Sequence, residues 1–299
     1  MAPDGKSFIT SVGSQDLTVW LHDKDGDHQV SSEGNTLSPA FSSDGRNLYF
    51  LKSNAHMRGE ELWVKQLDSG KVERVLPDYP IQEYFVSQDG REVAFAMKDE
   101  SGHTNLWTAP TSRRSSPVRI SSAAVEDSPF FLPNGDLVFR AIEGGSNFLY
   151  RMKADGTGRR KITSEHIVDI KSVSPDGRWV LAGGLGSDEE PRKGVKAFAL
   201  DGSRTVLLCL DNCDLRLDTS GKVAFVNFAT LHRGSYVLPV MRDSGLPKMP
   251  LTEHPRVEDF PNPKAIATIP WYVESAVSPS VYAYTRQNTR RNLYRIPLP

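Results

Sequence analysis

Two cysteines, seven histidines and one acid-rich turn are the groups in this 299-residue chain whose types and spacing suggest chemistry. The segment HDKDGDH, residues 22–28, sets Asp23, Asp25 and Asp27 at alternate positions, as a calcium loop would. An EF-hand loop needs its glycine after the third acid and a glutamate at the twelfth place. Here Gly26 precedes Asp27 and Gly34 holds the twelfth place, so the segment reads as a turn and no metal is assigned. Cys209 and Cys213, in CLDNC, are close enough in sequence for a disulfide across a tight connection in an oxidising compartment. Otherwise they are small residues at a strand end. Zinc lacks its remaining ligands, with no second cysteine pair or nearby histidine. His22, His28, His56, His103, His166, His232 and His254 are scattered, without HExxH spacing, and read as loop histidines. The nucleophile turn GxSxG of serine hydrolases is absent. No catalytic residue and no cofactor is assigned.

Composition narrows the partners. Net charge is −1, with 38% hydrophobic and 24% charged residues, ordinary for a globular chain. There is no basic excess to hold nucleic acid or an anionic surface. No apolar run approaches the roughly 20 residues that cross a bilayer, and MAPDGKSFITSVGSQ is not a signal peptide. A protein, peptide or small solute is the expected partner, with no nucleic acid and no direct membrane insertion.

The elements that would position any site come from a repeat. APDGKSFITS starts at Ala2, SSDGRNLYFL at Ser42, SQDGREVAFA at Ser87, LPNGDLVFRA at Leu132, VSPDGRWVLAG at Val173 and DTSGKVAFVN at Asp218. The turn pairs are Asp4-Gly5, Asp44-Gly45, Asp89-Gly90, Asn134-Gly135, Asp176-Gly177 and Ser220-Gly221, at steps of 40, 45, 45, 42 and 44 residues. A seventh copy, VSPSVYAYTR at Val277, has lost the pair. Each copy orders four short strands around polar turns, with alternation and β-branched or aromatic enrichment. Aspartate bonds nearby backbone N–H groups and glycine takes positive φ, which makes these hairpin turns.

Four antiparallel strands every 40–45 residues predict an all-β propeller, whose blades cover one another's faces. Seven copies predict seven blades, with six or eight as alternatives. The units run 1–36, 37–80, 81–125, 126–166, 167–211, 212–253 and 270–299, in one domain, with an insertion at 254–269. Third-strand aromatics Trp20, Trp63, Trp107, Tyr150, Phe198, Tyr236 and Tyr294 are expected between blades. The first copy begins at its turn and the last ends after its third strand, so both termini are expected to share a blade or to mark a fragment.

The unit resembles the WD40-like, PD40/TolB-type propeller repeat over nearly the whole chain. TVWLHDKDGDHQVSSEG, FSSDGRNLYFLKS, ELWVKQLDSGKVERVLP and RNLYRIPLP further resemble the C-terminal propeller region of bacterial, especially acidobacterial, receptor-like serine/threonine kinases. That resemblance implies a kinase domain and a membrane span upstream, and a periplasmic or other extracytoplasmic location. The chain itself has no Gly-rich phosphate loop, no HRD and no DFG. The expectation is a non-catalytic sensory or interaction module. A free-standing TolB-like scaffold and a propeller hydrolase or lyase are the alternatives. The inner strands hold acids but no histidine, which weighs against the enzyme.

Recognition is expected where the repeat breaks. GGSN (144–147) and the charged GLGSDEEPRKG (184–194) are loops between second and third strands. TEHPRVEDFPNPKAIATIPW (252–271) carries four prolines and offers Arg256, Phe260 and Trp271 as binding residues, since long irregular loops on a rigid scaffold often carry function.

Overall fold

The computed structural model describes residues 7–31, 34–53, 59–112, 115–121, 125–184, 194–210, 213–228, 234–252 and 255–297. The chain begins with β1 (Ser7–Asp23) and β2 (Gly26–Gln29). Blade I is β3 (Thr36–Phe41), β4 (Asn47–Ser53), β5 (Glu60–Gln66) and β6 (Val72–Ile81). Blade II is β7 (Glu83–Val86), β8 (Glu92–Lys98), β9 (Thr104–Pro110) and β10 (Val118–Arg119). Blade III is β11 (Glu126–Phe131), β12 (Leu137–Glu143), β13 (Ser146–Met152) and β14 (Arg160–Lys161). Blade IV is β15 (Ile167–Val173), β16 (Trp179–Gly184), β17 (Val195–Ala199) and β18 (Thr205–Cys209). Blade V is β19 (Cys213–Leu217), β20 (Val223–Phe228), β21 (Ser235–Pro239) and β22 (Ala267–Ile269). The last strands, β23 (Val273–Ser278) and β24 (Val281–Pro297), join β1 and β2 in the order β23-β24-β1-β2 to make blade VI.

The ring therefore has six blades, and the expected count of seven is corrected. The first and last copies of the repeat are two halves of one blade. The second strand of the last copy pairs with the third strand of the first, Tyr282 opposite His22, Tyr284 opposite Trp20 and Arg286 opposite Thr18. Pairing the termini removes two free sheet edges, which gives closure its energetic advantage. Inner strands β3, β11, β15 and β19 touch their neighbours around the ring, and β23 packs on both β19 and β3.

Six apolar clusters fill the six junctions between blades. Tyr49, Leu51 and Leu62 of blade I pack against Val93 and Phe95 of blade II, and Phe225 and Val237 of blade V against Val273 and Tyr284 of blade VI. Every second strand thus faces a cluster on both sides. That is why LYFL, AFAM and WVLAGG read as continuous apolar runs, and β16 is buried throughout. Six of the seven third-strand aromatics sit in or against these clusters. Tyr294 is instead 48% exposed.

Its exposure follows from how the ends pair. In blades I–V the second and third strands are separate elements. At the termini the corresponding segments run on as single 17-residue strands, paired from His22–Tyr282 out to Ser7–Pro297. β2 pairs with β1 only over Trp20–Asp23, and β23 pairs with β24 only as far as Tyr284. The outer half is consequently a two-stranded ribbon with both edges open. It exposes Phe8, Leu293, Tyr294 and Ile296, Leu293 by 77%.

The repeated turns are built alike. Gly45, Gly90 and Gly177 have φ near +70°. In these three turns the serine three residues before the glycine accepts the glycine N–H at its carbonyl and donates its hydroxyl to the aspartate, at 2.6, 2.7 and 2.6 Å. The aspartate accepts the N–H two residues on. Around Gly221 the roles reverse: Ser220 donates to Asp218, which accepts from Lys222 and Val223. Asn134 keeps one such bond, to Asp136. Asp4 and Gly5 lie outside the described residues.

The stretch 254–269 does not link two blades. It lies between β21 and β22, and Ala267–Ile269 is itself the outer strand of blade V. Single turns of 3₁₀ helix at Val257–Asp259 and Pro263–Ala265 carry it across.

Candidate binding site at the channel mouth

The inner strands leave a channel along the ring axis, and side chains on or beside them bond across every junction. Phe41 N–H donates to Ser275 Oγ (3.0 Å) between blades I and VI. Tyr84 O–H donates to the Ser38 carbonyl (2.7 Å) between I and II. Ser128 donates both its N–H and its hydroxyl to Glu83 Oε2, each at 2.9 Å, between II and III. Arg140 donates to the Val168 carbonyl, Arg216 to the Lys171 carbonyl, and Tyr272 O–H to Asp214 Oδ2, which completes the belt. Each bond is worth about 0.5–1.5 kcal/mol, or 1.5–3 where a charge takes part. Ser38 and Ser128 adopt φ of 53° and 49° at bulges in β3 and β11. This costs non-glycine residues about 1–2 kcal/mol, and the two bonds that Ser128 donates to Glu83 hold it in place.

At the face bearing the Asp-Gly turns the channel opens into a cavity of about 440 Å³, with contributions from all six inner strands. Phe85 and Phe130 meet there with ring centres 4.6 Å apart. Lys171 pairs with Asp169 at 2.8 Å and Arg216 with Asp214 at 3.2 Å. Glu83 and Glu274 also line the cavity. Burial pushes the Glu83 carboxyl above its ordinary range, and Asp127 adds to the shift against the bonds from Ser128. Burial does the same to Glu274. It carries the Tyr84 hydroxyl well above its usual value, with Glu274 adding to the effect.

The residues expected to bind sit in three different surroundings. Arg256 is exposed and pairs with its neighbour Glu258, at 3.6 Å. Phe260 is 3% exposed in the cluster between blades IV and V, 5.6 Å from the Tyr236 ring. Trp271 stacks on Tyr284 at 4.8 Å. The Arg286 guanidinium lies 4.1 Å from Trp271 and 3.7 Å from Trp20, and is held by Asp27 (2.9 Å) and the Tyr284 hydroxyl (2.7 Å). Phe260 and Trp271 therefore hold the structure together. Cys209 and Cys213 are joined as a disulfide, Cα atoms 6.9 Å apart.

In the acid-rich turn His22 Nδ1 lies 2.8 Å from Asp27 and His28 Nε2 3.0 Å from Asp23, and no three metal-ligating side chains converge among the described residues. Of the two other loops, GGSN is a turn at Gly144-Gly145, and most of 184–194 lies outside the described residues. The channel groups Glu83, Phe85, Phe130, Lys171 and Glu274 were not singled out by the sequence. The one signal for them was that the inner strands hold acids without histidine.

A family model described as the TolB beta propeller domain, PD40, matches residues 7–261. Among solved structures, putative TolB from Agrobacterium tumefaciens is similar over 92% of this chain and 99% of its own, at 16% identity and a TM-score of 0.66. TolB from Acinetobacter baumannii is similar over 75% of this chain and 61% of its own, at 16% identity and a TM-score of 0.61. An oligogalacturonate lyase from Vibrio parahaemolyticus covers 93% and 98%, at 11% identity and a TM-score of 0.55. At such identities the likeness is one of fold.

Proposed function

We propose, from the premise that the chain belongs to the PD40 family of TolB β-propeller domains, that it is a non-catalytic module holding a protein segment or small solute at the channel mouth. The observation that carries this reading is how the channel's polar groups are used. Most of those in the belt are spent on joining blades, while the cavity keeps an aromatic pair, with Glu274 and the Ser128-bonded Glu83 in its lining. A rigid ring presenting such a mouth suits recognition. In its finer form the reading makes the ring the extracytoplasmic sensor of a receptor-like serine/threonine kinase. The Cys209–Cys213 disulfide supports an oxidising location.

The test is selection of peptides from a phage-displayed library on the immobilised propeller, followed by measurement on Phe85→Ala. The expected result is binders weakened at least about tenfold by the substitution, the effect of a modest hot-spot residue. No enrichment, or binders indifferent to Phe85→Ala, would overturn the site. For the kinase, the reading frame ahead of Met1 is decisive: an in-frame kinase domain supports it and a stop codon directly upstream sinks it in favour of a free-standing scaffold.

A further inference from the structure

The outer half of blade VI differs in chemistry from the rest of the ring. β24 starts at the turn of the last copy, on the face where the cavity opens, so the ribbon projects from the opposite face. β23 covers the edge of β24 only as far as Tyr284, and among the described residues no strand but β1 pairs with it beyond that point. The register tells which backbone groups lie on the open edge. Val19 donates its N–H to Thr36 Oγ1 and accepts from Val30 at its carbonyl, both away from β24, and it stands opposite Thr285. In an antiparallel pair that parity recurs at every second residue. Gln287, Thr289, Arg291, Leu293 and Arg295 therefore turn N–H and C=O outward, a template for a further strand. The side chains along this edge are of two kinds. Leu293, Tyr294 and Ile296 are exposed apolar groups. Arg290 and Arg291 are exposed beside them and form no ion pair with any described residue, while Arg295 donates to Ser7 Oγ at 2.7 Å. Residues 7–16 and 287–297 together hold three arginines and one acid, Asp16, in a chain whose net charge is −1.

We propose that the free edge of β24 docks an extended, acidic segment of a partner protein as an added strand. Its carboxylates stand against Arg290, Arg291 and Arg295, and its apolar side chains against Leu293, Tyr294 and Ile296. In such an addition main-chain bonds supply affinity and side-chain pairs on each face supply specificity. The surface is separate from the channel mouth and independent of binding there. Two other occupants fit less well. A second copy pairing edge to edge brings three more arginines and no carboxylate over 287–297, and like charges opposite one another destabilise a strand pair. A lipid surface accepts arginines and aromatic rings, but burying this edge in hydrocarbon leaves its N–H and C=O groups without partners. An acidic strand answers the charge and the backbone together.

The test measures fluorescence anisotropy of labelled, capped peptides of about nine residues, a strand's length, titrated with the full chain at low salt. The first peptide sets a glutamate opposite each of the three arginines, with valine, leucine and threonine between them. The second has glutamine in place of each glutamate. The third is the first with alternate backbone nitrogens methylated along its pairing edge, which keeps the charge and removes the ladder donors. The first should bind at least about fivefold more tightly than the second, as three exposed cross-strand charge pairs allow, and the gap should narrow as salt is added. The third should bind at least about tenfold more weakly than the first. Arg290→Gln with Arg291→Gln should bring the first peptide down to the level of the second. If that variant does not fold, the comparison of the three peptides on the unaltered chain decides alone. Equal affinity for the first two peptides, a methylated peptide as tight as the first, or no binding by any of them would overturn the inference. Two further outcomes would overturn it as well. Sedimentation with phosphatidylglycerol vesicles in place of peptide binding would assign the patch to a membrane, and a dimer in light scattering that excludes the peptide would assign it to a second copy.

Discussion

Glu83 and Glu274 line the channel, where burial outweighs the pull of Arg140 on the one and of Arg216 on the other. Their raised carboxyls make stability depend on pH with a definite sign. Between the ordinary glutamate value of 4.5 and the raised folded value, the folded chain binds more protons than the unfolded chain. Stability therefore falls as pH rises through the folded value. The contribution is fully present below 4.5 and lost above the folded value. Glu274→Gln stays neutral and so escapes that loss, and the variant should have a higher urea midpoint than wild type at pH 7, with the gap closing toward pH 4. A variant equally destabilised at both pH values would show that the side chain acts through packing alone. Arg286, between Trp20 and Trp271, shows the other fate of a residue at a seam. Trp271 was conspicuous in the sequence, but nothing there could show that an arginine fifteen positions on would fill its face.

The turns and strands show what a sequence can specify. Each Ser-x-Asp-Gly turn satisfies its bonds within six residues, so its pattern repeats visibly and sets the strand frame of every blade. The belt does not repeat in this way. Its partners lie 45 residues apart for Glu83 and Ser128, 46 for Tyr84 and Ser38, and 58 for Tyr272 and Asp214. Different chemistries solve the same junction in each case. The outer strand of blade V was hidden for a related reason: after β21 the chain detours before Ala267–Ile269 returns to the sheet edge. The turns also make contacts of their own between blades. A Cβ on Gly177 would stand 3.0 Å from Pro133 Cδ, whereas one on Gly90 would meet nothing within 4 Å, at φ of 69° and 70°. Gly90→Ala should cost about 1–2 kcal/mol for the backbone alone. Gly177→Ala should cost about 1–3 kcal/mol more for the crowding, measured by urea denaturation. Equal losses would show that the turns do not press on one another.

At the scale of the molecule, closure decides whether the ring exists. Seven visible copies gave a count one too high because the copy at each end lacks part of its own sheet and completes the other. The N-terminal half of blade VI contributes Val19, Leu21 and Val30 to the cluster against blade I. Burying such side chains is worth about 1.5–3 kcal/mol each, a sum comparable with the 5–15 kcal/mol that holds a typical domain folded. The outer ribbon is the reverse case. An isolated two-stranded ribbon is marginal in water, and open edges with exposed apolar residues invite association. A chain lacking residues 1–29 should therefore fail to fold or should aggregate. A chain lacking 1–13 and 290–299 should keep the pairing from Thr18–Arg286 to His22–Tyr282, melt within a few degrees of wild type, and bind less of a hydrophobic dye. Thermal melts and size-exclusion chromatography of the two truncations separate the roles. Unfolding of the second would place the ribbon within the cooperative core, and a stable, monomeric first would mean that the ring does not depend on being closed by its own ends.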